Sequence, residues 1–191
     1  MPGAQVPRQF LACIAGDSRK PFTQGSGRLE LARDIASKDN PLTARVFVNR
    51  VWLEHFGKAL VRTPSDFGIR GERPTHPELL DYLAVQFMQN NWSIKKLQKM
   101  IMLSAAYQQS SIASTQALAN DSENRLISHQ NRQRLDFEAM RDSLLFAAGQ
   151  LDQTIGGRSV DILSQPFSHR RTIYGFVDRQ NLPSMFRAFD F

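Results

Sequence analysis

The sequence contains a single cysteine, Cys13, and this scarcity excludes several kinds of site. One thiol cannot form an internal disulfide and cannot supply a multi-cysteine metal centre. The chain also lacks a C-x-x-C-H motif, so covalent attachment of a c-type haem is excluded. Because Cys13 lies in the apolar stretch FLACIAG, we expect it to be a small buried hydrophobic residue rather than a nucleophile. The sequence therefore predicts no cofactor in this chain.

The chain also lacks an apolar run long enough to span a bilayer, so no transmembrane segment is expected. Its N-terminus has no basic residues followed by a sustained apolar core, so no signal peptide is indicated. The formal net charge is +6, but the Lys and Arg residues are scattered among 18 acidic residues without a long basic tract. A well-mixed charged surface is therefore favoured over a nucleic-acid interface. Binding of acidic polymers, such as sulfated polysaccharide, remains an alternative.

Hydrophobic residues make up 41% and charged residues 22% of the 191 residues, a globular composition that allows a sizeable core. Helical spacing of the apolar residues predicts a mainly α fold, an irregular multi-helix domain with long loops. Residues 1–25 are expected to form an irregular lead-in, and residues 26–191 a single helical domain. A short β-strand is expected over residues 171–177, because RTIYGFV is rich in β-branched and aromatic side chains.

Capping residues predict where the main helices begin and end. Asn40 is expected to cap a helix that ends at Gly57. Thr75 and Glu78 have the spacing of a capping box at the start of the next helix. A late helix is expected over residues 135–148. Its apolar seam consists of Phe137, Met140, Leu144 and Ala148.

The central helix ends in VNRVWLEHFG, residues 48–57, and has apolar side chains on nearly every side. Such a helix is normally buried, so its polar side chains need partners. Asn49 and Arg50 are expected to tie the TPSDFG loop or the late helix to the central helix. His55 is expected to be a core histidine that hydrogen-bonds the backbone.

Two sets of candidate site residues lie on this helix and in the loop after it. The candidate catalytic residues are His55, His76 and Asp66, and the candidate binding residues are Asn49, Arg50 and Trp52. No catalytic motif accompanies them: Asp66-Phe67-Gly68 lacks the other kinase motifs, and the four histidines have no metal-ligand spacing. The sequence therefore predicts no metal site.

Two carboxylates, Glu138 and Asp142, share a face of the late helix, and paired carboxylates can perform acid–base chemistry. Arg134 lies four residues before Glu138, and Arg141 lies three residues after it. Ion pairs on the surface therefore explain this set without a catalytic role.

Residues 27–111, from GRLELARDIAS to AAYQQSS, resemble the domain of unknown function 1553. DSENRLISHQNRQRLDFEAMRDSLL, GGRSV and RRTIYGFVDRQNLPSMFRAFDF continue the resemblance. This family is the C-terminal domain of large secreted planctomycete proteins that often carry a cytochrome-c-like domain. The resemblance implies an extracytoplasmic location (periplasmic or cell surface), with haem held only by other domains of related proteins. Because relatives continue past the position that matches FDF, we expect the chain to be truncated there.

Three functions stay open, since the resemblance brings no reaction with it. The first is a non-catalytic structural or interaction domain whose partners are other domains of the parent protein. The second is part of an enzyme or carbohydrate-active component, with a polar pocket around Asn49, Arg50, His55 and Asp66 and polysaccharide as a partner. The third is binding of acidic polymers. An exposed apolar patch would favour the first function.

Overall fold

The computed structural model describes residue 3 and residues 6–189. The predicted truncation at FDF falls at residues 189–191, so it lies largely outside the described part of the chain. The predicted mainly α fold is confirmed, with eight α-helices and no sheet among the described residues. The chain divides into two compact units, Met1–Arg132 and Gln133–Phe191. The single domain over residues 26–191 stays a prediction.

Six helices belong to the first unit. They are α1 (Ala12–Ala15), α2 (Arg28–Ile35), α3 (Thr43–Phe56), α4 (Pro77–Gln89), α5 (Ile94–Met102) and α6 (Thr115–Asn120). The core lies where α3, α4 and α5 pack on one another, and its largest buried side chains include Phe56, Phe87, Leu97 and Ile101. The buried residues recur at helical spacing, as Leu80, Leu83, Ala84 and Phe87 on α4 and as Leu97 and Ile101 on α5, so each of these helices buries one face.

The start of α3 differs from the predicted one. Asn40 does not cap the helix, because α3 begins at Thr43 and its N-cap is Leu42. Asn40 is instead buried between α2 and α3, where its Oδ1 accepts from Leu42 N at 3.0 Å and its Nδ2 donates to Ile35 O at 3.1 Å. The predicted end of the helix is confirmed, because Gly57 adopts a left-handed φ of 69° directly after Phe56.

The predicted capping box of α4 is wrong. The N-cap of α4 is His76, no side chain caps the helix, and Pro77 occupies its first turn. Thr75 is drawn away from the helix because its backbone N donates to Leu60 O at 2.9 Å. Its hydroxyl lies between that carbonyl and the His76 ring, so it cannot reach the N–H of Glu78.

One expectation about burial in this unit is also corrected. Cys13 is exposed, because α1 is a single helical turn with no buried residue. The segment after α5 contains the short helix α6, which is capped by Ser114 and buries no side chain. Short helices of this kind carry too little apolar periodicity to be predicted from sequence.

The second unit contains α7 (Phe137–Ala147), a 3-10 helix (Thr172–Tyr174) and α8 (Ser184–Arg187). The strand expected over residues 171–177 is absent from the described residues, and single bridges join Asp152 to Arg170 and Val160 to Gly175 in its place. The unit buries the side chains of Phe137, Ile162 and Phe186. The predicted seam of α7 is only half right, because Leu144 is 64% exposed.

Candidate functional site

Asn49 lies on the buried face of α3, and its side chain has no solvent exposure. Its Nδ2 donates to Val61 O at 3.0 Å, and its Oδ1 accepts from Val61 N at 2.8 Å. The amide therefore pairs both polar groups of one buried backbone position, as buried polar groups require. The predicted tie between α3 and the following segment is present, but it is made at Val61, ahead of TPSDFG.

Arg50 and Trp52, the other candidate binding residues, lie in opposite environments. Arg50 is exposed, together with Glu54 one turn later, because only one side of α3 faces the core. The prediction that Arg50 is a second buried tie is therefore wrong. Trp52 is buried and stacks on Phe56 with ring centroids 4.0 Å apart. It lines a crevice of only about 20 Å³.

The two candidate histidines are both engaged in local structure. His55 Nδ1 lies 2.8 Å from Val51 O, and its ring meets Tyr107 edge-on at 5.7 Å. The predicted hydrogen bond from His55 to the backbone is thus confirmed. His76 Nδ1 lies 3.0 Å from the Thr75 hydroxyl at the start of α4. These contacts suffice to orient both rings without a ligand.

Asp66 closes the loop between α3 and α4. Its Oδ1 accepts from Gly68 N at 2.8 Å, which makes the turn expected for Asp66-Phe67-Gly68. The Thr63 hydroxyl donates to Asp66 O at 2.8 Å and accepts from Glu72 N at 3.0 Å. A side chain at Gly71 would clash with the Asp66 carbonyl, so the loop needs glycine there. The Asp66 carboxylate therefore stabilises the backbone of its own loop.

The structure does not bring the six candidate residues together in one cavity. Among the five best-formed cavities of residues 3 and 6–189, the small crevice at Trp52 is the one that any of them lines. An active site needs its chemical groups to converge on a space that a substrate can enter. Roles in catalysis or binding for these residues therefore stay predictions without support from this arrangement.

A broad open cleft of about 710 Å³ lies within the second unit, between α7 and the segments that follow it. Three large apolar side chains line it and are well exposed: Phe146 at 67%, Ile155 at 87% and Ile173 at 69%. Its charged lining consists of Asp136, Glu138, Asp142 and Arg171. The cleft thus places three exposed apolar side chains around one recess, a grouping that a docking surface can use.

Asp142 joins α7 to the 3-10 helix at one wall of this cleft. Its Oδ1 accepts from Thr172 N at 2.7 Å and from the Thr172 hydroxyl at 2.6 Å, and its Oδ2 lies 3.5 Å from Arg171 Nε. The carboxylate is therefore occupied by the protein's own donors. Because these donors are charged or buried, we expect them to hold this wall in place.

Arg141 supports the same wall from the neighbouring position of α7. Its Nη1 donates at 3.0 Å to both Arg170 O and the Thr172 hydroxyl, and its Nη2 donates to Ser168 O. Burial lowers the pKa of the Arg141 guanidinium below its ordinary value, whereas the charge of Asp142 acts in the opposite direction. The ion pair predicted between Arg141 and Glu138 does not form, since Arg141 is committed to these oxygens.

The other predicted ion pair of Glu138 does not form either. Arg134 precedes the first residue of α7, so the helical spacing of four does not place it beside Glu138. Its Nη2 donates to Ala188 O at 2.9 Å, and its guanidinium lies over the Phe189 ring at 4.8 Å. Glu138 is half-buried, and within residues 6–189 its carboxylate has no hydrogen-bond or ion-pair partner.

The family model described as a protein of unknown function, DUF1553, matches residues 27–191. The chain belongs to this family. No curated protein and no solved structure matches the chain.

Within the described part of this DUF1553 chain, we looked for metal-binding clusters and for membrane-spanning helices. The described residues contain no group of three or more His, Cys, Asp or Glu side chains placed to hold a metal ion. No helix in residues 6–189 has the length and hydrophobicity needed to span a membrane. We argue a function from the cleft of the second unit because exposed apolar side chains and the carboxylate of Glu138 lie together there.

A smaller cleft of about 570 Å³ lies in the first unit. Some of its lining residues precede residue 27, where the DUF1553 match begins. Phe10, Ile14 and Phe22 form its apolar wall, while charges of both signs, including Arg33 and Asp34, line the rest. Mixed charges of this kind are compatible with many ligands and select none of them, so we base no function on this cleft.

The sequence did not predict the apolar lining of the larger cleft, which lies beside α7 in the second unit. Phe146 lies off the predicted seam of α7, and this extra apolar position is the one signal that the sequence contains. Ile155 and Ile173 lie in segments without helical periodicity, so nothing in their spacing predicts that they meet α7.

Proposed function

We propose that this chain is a non-catalytic interaction domain of an extracytoplasmic protein, and that the cleft beside α7 docks another domain of that protein. The parent protein that we infer is of the secreted planctomycete type, in which any haem belongs to a separate cytochrome-c-like domain. The observation that carries the proposal is the exposure of Phe146, Ile155 and Ile173 around one cleft.

The free energy of apolar burial supports a polypeptide partner. Full burial of one such side chain is worth about 1.5–3 kcal/mol, so covering three of them offers a substantial part of a stable interface. Interfaces gain most of their affinity from a few well-packed residues near their centre. A partner seated on Phe146, Ile155 and Ile173 would supply the missing burial.

The walls of the cleft are suited to hold these side chains in a defined position. Asp142 and Arg141 tie α7 to Thr172, which directly precedes Ile173. A surface held by such hydrogen bonds loses little entropy when a partner docks. The enzymatic alternative has less support, because its candidate residues lie elsewhere and line no common cavity.

The proposal is tested by site-specific photo-crosslinking in the cells that produce the protein. A photo-reactive amino acid is placed at Ile155 in the cleft and, as a matched control, at Ile112, which is 76% exposed in the first unit. We expect a discrete crosslink to another domain or subunit from position 155 alone. Phe146→Asp in the same chain should abolish it.

Equal crosslinking from both positions, or none from position 155, would contradict the docking role. Fractionation of the same cells tests the location: recovery in the cytoplasm would contradict an extracytoplasmic parent protein. Retention of a crosslink after Phe146→Asp would show that the cleft is not the contact.

A further inference from the structure

We infer that the cleft binds an amphipathic segment that presents a lysine or arginine beside its aliphatic side chains, with the cation paired to Glu138. The inference rests on the proposed docking function and adds the chemistry of the partner. The inference depends on three observations: the net charge of the cleft, the hydrogen-bond partners of each carboxylate in it, and the open shape of the cleft.

The charge of the cleft is opposite to that of the chain as a whole. Three carboxylates and one guanidinium line it, whereas the chain carries a formal net charge of +6. An acidic recess on a basic protein attracts a cationic group and repels an anionic one. The occupant is therefore expected to bring positive charge.

Glu138 is the carboxylate best placed to receive that charge. Asp142 already accepts hydrogen bonds from Thr172 and lies beside Arg171. Asp136 is the N-cap of α7, where its Oδ1 accepts from Ala139 N at 2.7 Å. The Glu138 carboxylate makes no such contact within residues 6–189 and is half-buried beside apolar side chains. A cation there would be less screened than one on an open surface.

The shape of the cleft favours a polypeptide segment over a small molecule. Small-molecule sites usually enclose most of the ligand surface. Here the apolar wall is open to solvent, with Ile155 at 87% and Ile173 at 69% exposed, so a small ligand would remain largely hydrated. A helix laid along α7 could cover these side chains with one apolar face and reach Glu138 from its polar edge.

Binding of synthetic helices to the 191-residue chain tests the inference. The probe is an amphipathic helix of leucine and lysine, and the control probe replaces every lysine with glutamate. We expect the lysine helix to bind and the glutamate helix to bind at least about tenfold more weakly in fluorescence anisotropy. Glu138→Gln should weaken the lysine helix about fivefold to tenfold, since it removes one charged hydrogen bond.

Matched variants separate the cleft from the rest of the surface. Glu54→Gln removes the same charge from an exposed position of α3 and should leave binding unchanged. Ile173→Asn should weaken the lysine helix as strongly as Glu138→Gln, whereas Ile112→Asn should not. Circular dichroism of each variant confirms that the helices are retained.

Each other outcome overturns the inference in a distinct way. If Ile173→Asn weakens both helices equally and Glu138→Gln changes neither, the cleft docks apolar segments without selecting a cation, and only the inference fails. If Glu54→Gln acts as strongly as Glu138→Gln, the binding is a general charge effect. A concentration-dependent dimer in sedimentation velocity that Ile173→Asn abolishes would assign the cleft to a second copy of the chain.

Discussion

The two units of the chain achieve their stability by different means. Met1–Arg132 surround a continuous core in which twelve buried side chains from α3, α4, α5 and the adjoining segments pack together. Gln133–Phe191 bury a core of three side chains and depend more on the polar contacts of Arg141 and Asp142. The second unit also exposes three phenylalanines, Phe146, Phe167 and Phe176, whereas every phenylalanine of the first unit is buried or half-buried.

This difference indicates where a partner would matter. A unit with a large apolar core is already stabilised by the burial of its own side chains. A unit with a small core and exposed apolar side chains gains stability when another surface covers them. The comparison therefore supports docking at the second unit, and it makes predictions that can be checked separately in each unit.

The largest effect is expected from removing an aromatic side chain of the first core. Phe56→Ala should lower the free energy of unfolding by about 4–5 kcal/mol, because Phe56 is buried in the larger core and its loss leaves a cavity there. Phe186→Ala in the smaller core should cost about 3 kcal/mol, since that site collapses more easily. Urea unfolding followed by tryptophan fluorescence reports the first unit, because both tryptophans, Trp52 and Trp92, lie in it.

Hydrogen exchange measured by mass spectrometry reports the second unit over the same urea range. Similar losses from Phe56→Ala and Phe186→Ala, each spread over both units, would mean that the chain unfolds as one body. The contrast between the two cores would then have no energetic meaning.

The next largest effect is expected at the polar tie of the first unit. Asn49→Ala should cost about 2–4 kcal/mol, because it leaves both the N–H and the carbonyl of Val61 buried without a partner. Arg50→Ala on the same helix is the matched control and should change stability by less than about 0.5 kcal/mol, since Arg50 is exposed. Chemical denaturation of both variants measures the difference, and equal effects would refute the assignment of Asn49 as the tie.

A somewhat smaller effect is expected at the polar contacts of the second unit. Asp142→Ala should cost about 2 kcal/mol, because Thr172 then loses the acceptor for its N–H and its hydroxyl. Hydrogen exchange should accelerate at residues 168–173 while the core of the first unit stays protected. Glu138→Ala, on the same face of α7, should leave exchange there unchanged. Faster exchange at α4 in Asp142→Ala would show that the polar contacts also stabilise the first unit.

The sequence predicts the ends of elements well where one residue decides the backbone. Gly57 ends α3 through its left-handed φ, and His55 bonds the carbonyl one turn earlier, both by local geometry. The predicted N-cap at Asn40 is wrong for a different reason, because the Asn40 side chain has several backbone groups within hydrogen-bonding distance. A capping residue can serve the helix before it as well as the helix after it, and sequence alone does not choose.

Burial is predicted less well because it depends on neighbours distant in the chain. An all-round apolar helix does not reveal which side meets the core, so the sequence predicts Arg50 inside whereas the structure exposes it. Cys13 and Leu144 lie in apolar sequence but find no cover among the described residues. The cleft has the same origin, since Ile155 and Ile173 reach α7 only through the path of irregular segments.

The smallest effect is expected from an ion pair that joins two helices of the first unit. Arg45 Nε donates to Asp81 Oδ1 at 2.6 Å across α3 and α4, and this hydrogen bond lowers the pKa of Asp81 below its ordinary value. Both side chains are substantially exposed, so Asp81→Asn should cost less than about 1 kcal/mol at pH 7.

The pH dependence of this pair follows from the direction of the shift. A carboxyl whose pKa is lower in the folded state stabilises the fold above its unfolded pKa, and the contribution is lost as pH falls through the folded pKa. The difference in unfolding free energy between the parent chain and Asp81→Asn should therefore be constant from pH 7 to about pH 5 and shrink below about pH 4. High salt should reduce it as well. A difference that persists at low pH would mean that the substitution Asp81→Asn disturbs packing between α3 and α4, so that even the surface of the first unit contributes through its core.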